Sequence, residues 1–296
     1  MPSLKHVKLK ISAIKKTKQI TKAMNMVATS RLRGAQTNME MFRPYASKFA
    51  EVLGSLAEKS SSEASPLLTE RSEVKNIHIV LCTSDRGLCG GFNVNLTETT
   101  EKFIKSKSAP GISFSLTNFG KKGRDWCRKN NFEISDQYTG VVGTKFGFNV
   151  ALNAGRKLID GFLDEIYDEV YVVYAQFINM GRQVPTIKQL LPIPPIEKSE
   201  EESEKPLKYL AEHICEPSVD ELLGELLPRN IYVQLYSALL ETSTSEHAAR
   251  MTAMDNATKA CNDMLSNLTL LYNKARQAAI TAELMDIVGG AEALKG

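Results

Sequence analysis

The chain has 296 residues, 43% of them apolar, and a net charge of +3, which suits a soluble protein with one large or two small cores. No run approaches the roughly 18 apolar residues that span a bilayer, and there is no secretory h-region. Five scattered cysteines (Cys82, Cys89, Cys127, Cys215, Cys261) form no CxxC pair and no ligand cluster with histidine, so they read as reduced thiols rather than a disulfide framework or a zinc site.

The near-neutral total hides an asymmetry. Nine Lys/Arg and His6 precede the first acid, Glu40. Within residues 1–59, Leu4, Val7, Ile11 and Ile14 follow a 3,4,3 spacing and predict a helix; the stripe then reads as shifting register to Ile20, Met24 and Val27. With Pro44 tolerated as a kink, this is one helix of about 55 residues, roughly 80 Å long, and a helix of that length needs a partner. The basic, acid-poor start is Lys-rich and its helical pattern continues, so a cleavable targeting peptide is not expected.

Over 74–195 the period changes. The stretches 76–82, 112–116, 171–177 and 185–191 read as strands, with helical patterns at 94–106, 119–130 and 148–164 between them. Alternation of this kind predicts an α/β sandwich with a largely parallel sheet. The run YVVYAQF is apolar on successive residues, as a strand covered on both faces would be, and Pro185 suits an edge strand.

Residues 196–206 combine proline with the acidic run EKSEEESEK (197–205) and read as a solvated linker. The segment 207–296 is helical again, and no proline or glycine interrupts Asn230–Val288. Gly289–Gly290 reads as its stop. Cys261, Met264, Leu268, Leu271, Ala275, Ala278, Ala282 and Met285 follow a 3,4 heptad spacing, and the alanines suggest close approach of a partner helix. The expected architecture is α/β: a long antiparallel coiled coil of N- and C-terminal helices with an α/β domain inserted between them.

The chemistry-bearing motifs are weak. SDRGLCGGFN (84–93) follows a strand and precedes a helix, where phosphate loops sit, but it satisfies neither GxxxxGK[ST] nor GxGxxG. It reads as a tight turn, with Asp85 and Arg86 as loop anchors. The four histidines stand apart, and no Ser or Cys sits visibly beside one for nucleophilic chemistry. The basic helix has no aromatic residue before Phe42, which disfavours base stacking and membrane anchoring. An acidic protein surface fits it better. A nucleotide-using enzyme with helical arms and a nucleic-acid-binding coiled coil are the alternatives.

Three stretches, KQITKAMNMVATSRLR, SDRGLCGGFN and NKARQAAITAELMDIVGGAEA, resemble the gamma subunit of the F-type ATP synthase, in order and over essentially the whole chain. The last is the most specific, with Ile280, Thr281, Glu283, Asp286, Gly290 and Ala291 at the signature spacing. The resemblance implies a Rossmann-like inserted domain and a non-catalytic central shaft with no cofactor or metal. Its partners would be three alpha and three beta subunits, the epsilon subunit and the c ring, with no nucleic acid and only indirect membrane association. It further implies that Lys22 and Met24 lie near the acidic lever loop of the beta subunits. Arg250 matches the AARM segment, and Arg276 and Gln277 match the segment against the beta catch loops, with Thr281 and Glu283 one turn on. Residues near the tip would run in an apolar sleeve. Glu216 and Pro217, in a loosely matching loop, would face the c ring and epsilon. A bacterial origin, a place on the cytoplasmic face of the inner membrane and proton coupling are the accompanying expectations.

Overall fold

The computed structural model describes residues 4–57, 65–69, 71, 73–194 and 219–293. The acidic linker and the loop carrying Glu216 and Pro217 lie outside the described residues. The chain divides into two compact units, one formed by residues 30–249 and the other by residues 1–29 with 250–296.

The larger unit holds a five-stranded sheet. Its strands are β1 (Asn76–Cys82), β2 (Ser113–Phe119), β3 (Glu133–Tyr138), β4 (Glu169–Asn179) and β5 (Arg182–Leu191), in the order β3-β2-β1-β4-β5. The β1–β2, β1–β4 and β2–β3 pairs are parallel, and β4–β5 is antiparallel. Helices α2 (Phe92–Lys107), α3 (Lys121–Lys129) and α4 (Phe148–Leu163) make the crossovers. The sheet is therefore largely parallel, and Pro185, with no N–H to donate, sits on an edge strand.

Period-2 alternation sends the apolar residues of β1 to two separate cores. Ile77, Ile79 and Leu81 pack with Phe92, Leu96, Leu116 and Cys127, beneath α2 and α3. Val80 and Cys82 pack with Phe119, Ala151, Leu158 and Phe162, beneath α4. This second core also receives Leu53 from the first helix, α1 (Leu4–Ala57), and Leu223, Leu227, Ile231 and Leu239 from the last, α5 (Val219–Ala293). Burial on both faces explains the continuous apolar runs of β1 and β4. Phe42 of α1 meets Tyr236 of α5 edge to face, with ring centroids 4.8 Å apart.

One strand, β3, is absent from the sequence reading. EISDQY alternates exposed and half-buried residues, and its half-buried positions are Ile134, Asp136 and Tyr138, so it carries too little apolar signal. Pairing with β2 brings it into the sheet.

In the smaller unit α1 and α5 run antiparallel. Thr21 faces Thr258, with hydroxyl oxygens 2.8 Å apart. Four residues later on α1, the Asn25 carboxamide donates to the Met251 carbonyl at 2.8 Å, seven residues earlier on α5. Both helices depart from the sequence reading. The inward face of α1 does not shift register: it continues from Ile14 through Lys18, Thr21, Asn25 and Ala28 at unbroken 3,4 spacing. Ile20, Met24 and Val27 are instead 56%, 38% and 54% exposed. On α5 the shielded positions are Cys261, Leu265, Leu268, Tyr272, Ala275 and Ala279. Met264 and Leu271 stand outside, so alternate members of the predicted seam are displaced by one residue. The helix also passes through Gly289–Gly290 to Ala293; glycine weakens a helix interior by only about 1 kcal/mol.

Candidate interaction surface of the paired helices

The α1 helix of the pair presents a dense run of positive charge. Lys5, Lys8, Lys10, Lys15, Lys16 and Lys22 are exposed on α1, which carries no acid before Glu40. Among the described residues none of these lysines forms an ion pair. One ion pair on the α5 part of this unit is internal to the helix, Lys259 to Asp255 at 2.7 Å. Like charges repeated along one helix repel each other modestly, and an opposed acidic surface would relieve that repulsion.

Apolar side chains lie between the charges. Ile20, Met24 and Val27 are spaced 4 and 3 and form an outward stripe, with Met26 (59% exposed) beside it. The inward face at the same level is polar, with Lys18, Thr21 and Asn25 where apolar residues would ordinarily seal the seam. This inversion is the main local feature of the basic helix. Polar seam residues lower pair stability but specify register through hydrogen bonds, here Thr21–Thr258 and Asn25–Met251. The exposed apolar residues await contact with something else.

The far end of α5 has a different geometry. With Thr21 level with Thr258 and an antiparallel course, Leu4 comes level with about Ala275. Beyond that point α5 has no α1 residue beside it in the described chain, and the described residues from Ile280 onward are exposed on every side. Ala282 and Met285, predicted as seam residues, therefore have no partner helix among the described residues. Ile280, Leu284 and Ile287, at i, i+4 and i+7, are 44%, 57% and 69% exposed, with Met285 and Val288 adjoining them. A terminal helix with this much uncovered apolar surface marks a contact site.

The predicted contact residues fall in two groups. Lys22 and Met24 are exposed on α1. Arg276, Gln277, Thr281 and Glu283 are exposed on the single-helix end of α5, where Thr281 donates to the Gln277 carbonyl at 3.0 Å. Arg276 follows Thr258 by about 18 residues, roughly 27 Å along the helix, so the groups do not share one patch. Arg250 is partly buried, unlike the others.

The glycine-rich loop in the larger unit is occupied with itself. The Ser84 N–H donates to Asn93 Oδ1 (3.0 Å), while Asn93 Nδ2 donates to Ser84 Oγ (2.8 Å) and Cys89 Sγ (3.2 Å). The Asp85 carboxylate accepts from the Lys121 and Gly140 amides at 3.1 and 2.8 Å. Asp85 thus anchors two neighbouring loops, as a structural aspartate would. At Gly120, φ is +101°, and any β-carbon would collide with the Thr83 carbonyl. No group of His, Cys, Asp and Glu among the described residues could hold a metal ion, and no described helix is long and apolar enough to cross a membrane.

Comparison with known proteins agrees along the whole length. A family model described as ATP synthase matches residues 3–294. The ATP synthase gamma chain of Desulfosudis oleivorans is 67% identical over 298 residues, covering 100% of both chains. That of Desulforapulum autotrophicum is 62% identical, covering 99% of this chain and 100% of its own. Among solved structures, a chain of the Euglena gracilis mitochondrial ATP synthase, from the OSCP/F1/c-ring in rotational state 3, superposes with a TM-score of 0.67. It covers 98% of this chain and 94% of its own at 18% identity, a likeness of fold.

Proposed function

The chain belongs to the ATP synthase gamma chain family, and on that premise we propose that it is the non-catalytic central shaft of a bacterial F-type ATP synthase. It turns with the c ring inside a ring of three alpha and three beta subunits, with the epsilon subunit beside its foot. The shaft couples transmembrane proton flow to ATP synthesis or hydrolysis at the alpha/beta sites. Its orientation biases the beta subunits among conformations of different nucleotide affinity, which is how a protein without a catalytic residue changes the rate of a reaction elsewhere. The molecule sits peripherally at the cytoplasmic face of the inner membrane.

In this reading the paired helices are residues 1–59 and 207–296, the Rossmann-like domain is 74–195, and 196–206 is a linker. Lys22 and Met24 bear on the acidic lever loops of the beta subunits. Arg250, Arg276, Gln277, Thr281 and Glu283 meet the catch loops and sleeve, and Glu216 and Pro217 meet the c ring and epsilon. The observation that carries the reading is the unneutralised basic helix with an outward apolar stripe, together with the uncovered apolar end of α5. Both call for protein surfaces that the described residues do not supply. Reconstitution tests it: matching alpha and beta subunits are assayed for ATP hydrolysis with and without this chain. One stable complex with strongly enhanced turnover is expected. Well-folded partners that neither bind the chain nor respond to it would remove the assignment.

A further inference from the structure

The larger unit contains a cavity of about 660 Å³ that none of the roles above uses. Four segments build it: α1 around Ser30–Asn38, Arg86 of the glycine-rich loop, the 143–146 turn, and α5 at Leu240, Ser243 and His247. The volume falls in the usual range for small-molecule sites, about 300–1,000 Å³.

Its lining is chemically one-sided. Arg31, Arg86 and Lys145 contribute three cations, and no Asp or Glu is among the lining residues. Among the described residues none of the three forms an ion pair. Hydroxyl or amide groups come from Ser30, Thr37, Asn38, Thr144 and Ser243, while Phe146 and Leu240 supply an apolar wall. Glu246 is 2% exposed and lies 3.0 Å from His247 Nδ1. It does not line the cavity.

The framework is fixed rather than incidental. Gly143 adopts φ +79°, and a β-carbon there would come within 3.0 Å of Glu246 Oε2. Its buried N–H donates to Ser243 Oγ at 3.2 Å. The turn that carries Thr144 and Lys145 is thereby tied to α5. The Phe146 ring packs edge-on against Tyr236, with centroids 5.6 Å apart.

We propose that this cavity binds a small organic polyanion of nucleoside di- or triphosphate size. The guanidinium groups of Arg31 and Arg86 and the Lys145 ammonium would take the phosphates. Arginine suits phosphate because its planar fork donates two hydrogen bonds at once. The hydroxyls supply further donors, and Phe146 and Leu240 accommodate the unphosphorylated part. A single inorganic phosphate would leave most of the volume and the apolar wall unused. The proposal does not depend on the shaft role, since it concerns binding to this chain alone.

The test is titration calorimetry on the full isolated chain, with ATP, ADP, pyrophosphate and inorganic phosphate as separate probes. One saturable site is expected, binding ATP or ADP at least about tenfold more tightly than phosphate, a difference of roughly 1.4 kcal/mol. Two variants locate the site. Arg86→Ala removes a cation from an exposed loop and should weaken ATP binding about tenfold. Gly34→Leu introduces a side chain where an added β-carbon meets nothing within 4 Å; it should block binding while circular dichroism stays unchanged and thermal unfolding comes no lower than in the parent. Absence of saturable binding up to about 1 mM overturns the proposal. So does ATP binding that survives both variants, or equal affinity for phosphate and ATP. Should Gly34→Leu fail to fold, Arg86→Ala and a double variant with Lys145→Ala decide alone.

Discussion

The Asn25 carboxamide reaches across the helix pair to the Met251 carbonyl, 2.8 Å away and 226 residues later in the chain. It occupies a seam position, where the burial pattern of α1 would accommodate an apolar residue. One hydrogen bond of this kind contributes about 1 kcal/mol net. Its larger effect is on alignment, because an amide finds its partner at only one relative position of the two helices.

Asn25→Ala should therefore loosen the pair locally. Hydrogen exchange followed by mass spectrometry should show amides near Asn25 and Met251 exchanging about five- to tenfold faster, with the sheet amides unchanged. Equal exchange in variant and parent would mean that the contact contributes nothing to the pairing.

Charge reversal on the outer face should act on coupling rather than folding. Lys22 is exposed and without an ion pair among the described residues, so Lys22→Glu should leave the unfolding free energy of the isolated chain within about 0.5 kcal/mol of the parent. In membranes carrying the assembled complex it should reduce ATP-driven proton pumping more than complex yield. Unchanged pumping would exclude a contact role for Lys22. Neighbouring exposed lysines share the field, so a combined Lys15/Lys22 reversal should have a larger effect than either alone.

The end of α5 separates intramolecular from intermolecular stability. Leu284 is 57% exposed and beyond the reach of α1. Leu284→Asp should leave unfolding of the isolated chain unchanged and lower the thermal stability of the reconstituted complex. A variant that destabilises the isolated chain by more than about 1 kcal/mol would mean that the residue is buried in the chain itself.

His78 gives the larger unit an acid limit. Its ring lies between the Ser115 and Thr117 hydroxyls, 2.7 Å from Nδ1 and 2.9 Å from Nε2, and stacks on Tyr167 at 4.1 Å. Burial holds its pKa down to about 4, against 6.5 in the ordinary case, with Asp136 partly opposing the shift. The fold binds the neutral ring, so this contribution is complete above the unfolded pKa and declines as pH falls from about 6.5 towards about 4. Its size is on the order of 3 kcal/mol. Denaturation midpoints measured from pH 7 to 4 should fall, and the fall should be shallower in His78→Phe, even though that variant starts less stable because two hydroxyls lose their partner. Identical slopes would assign the acid limit to other groups.

Gly120→Ala should be among the most damaging single changes, costing about 3 kcal/mol or more, because it combines a left-handed backbone with a collision against Thr83. The thermal midpoint of the chain reports it; a loss below about 1 kcal/mol would show that the loop can move aside.

The elements with strong periodicity were legible from sequence. β1 and β4 announced themselves as apolar runs, and α2, α3 and α4 as helical patterns within two residues of their observed ends. β3 was hidden because sheet pairing, rather than side-chain burial, holds Asp136 and Gln137 in line. The seam of α1 escapes a hydrophobicity rule for a physical reason. Hydrophobicity points to Ile20, Met24 and Val27, whereas extending the 3,4 spacing past Ile14 lands on Lys18, Thr21 and Asn25. Apolar residues facing outward are the signature of a surface built for a partner, which a single-chain burial rule inverts. The seam of α5 failed similarly at Met264 and Leu271, where an equally regular set of apolar residues lies one position away. The cavity could not be read at all, because Arg31, Arg86, Lys145 and His247 come from four separate segments.

The overhang of α5 has a mechanical consequence. Up to about Ala275 a twist applied to the smaller unit is resisted by two helices side by side; beyond it, among the described residues, by one. A lone helix is the softer torsional spring, so angular strain along this unit concentrates in its last turns. Those turns can lag or lead the pair by rotating about their own axis, while the pair itself stays stiff.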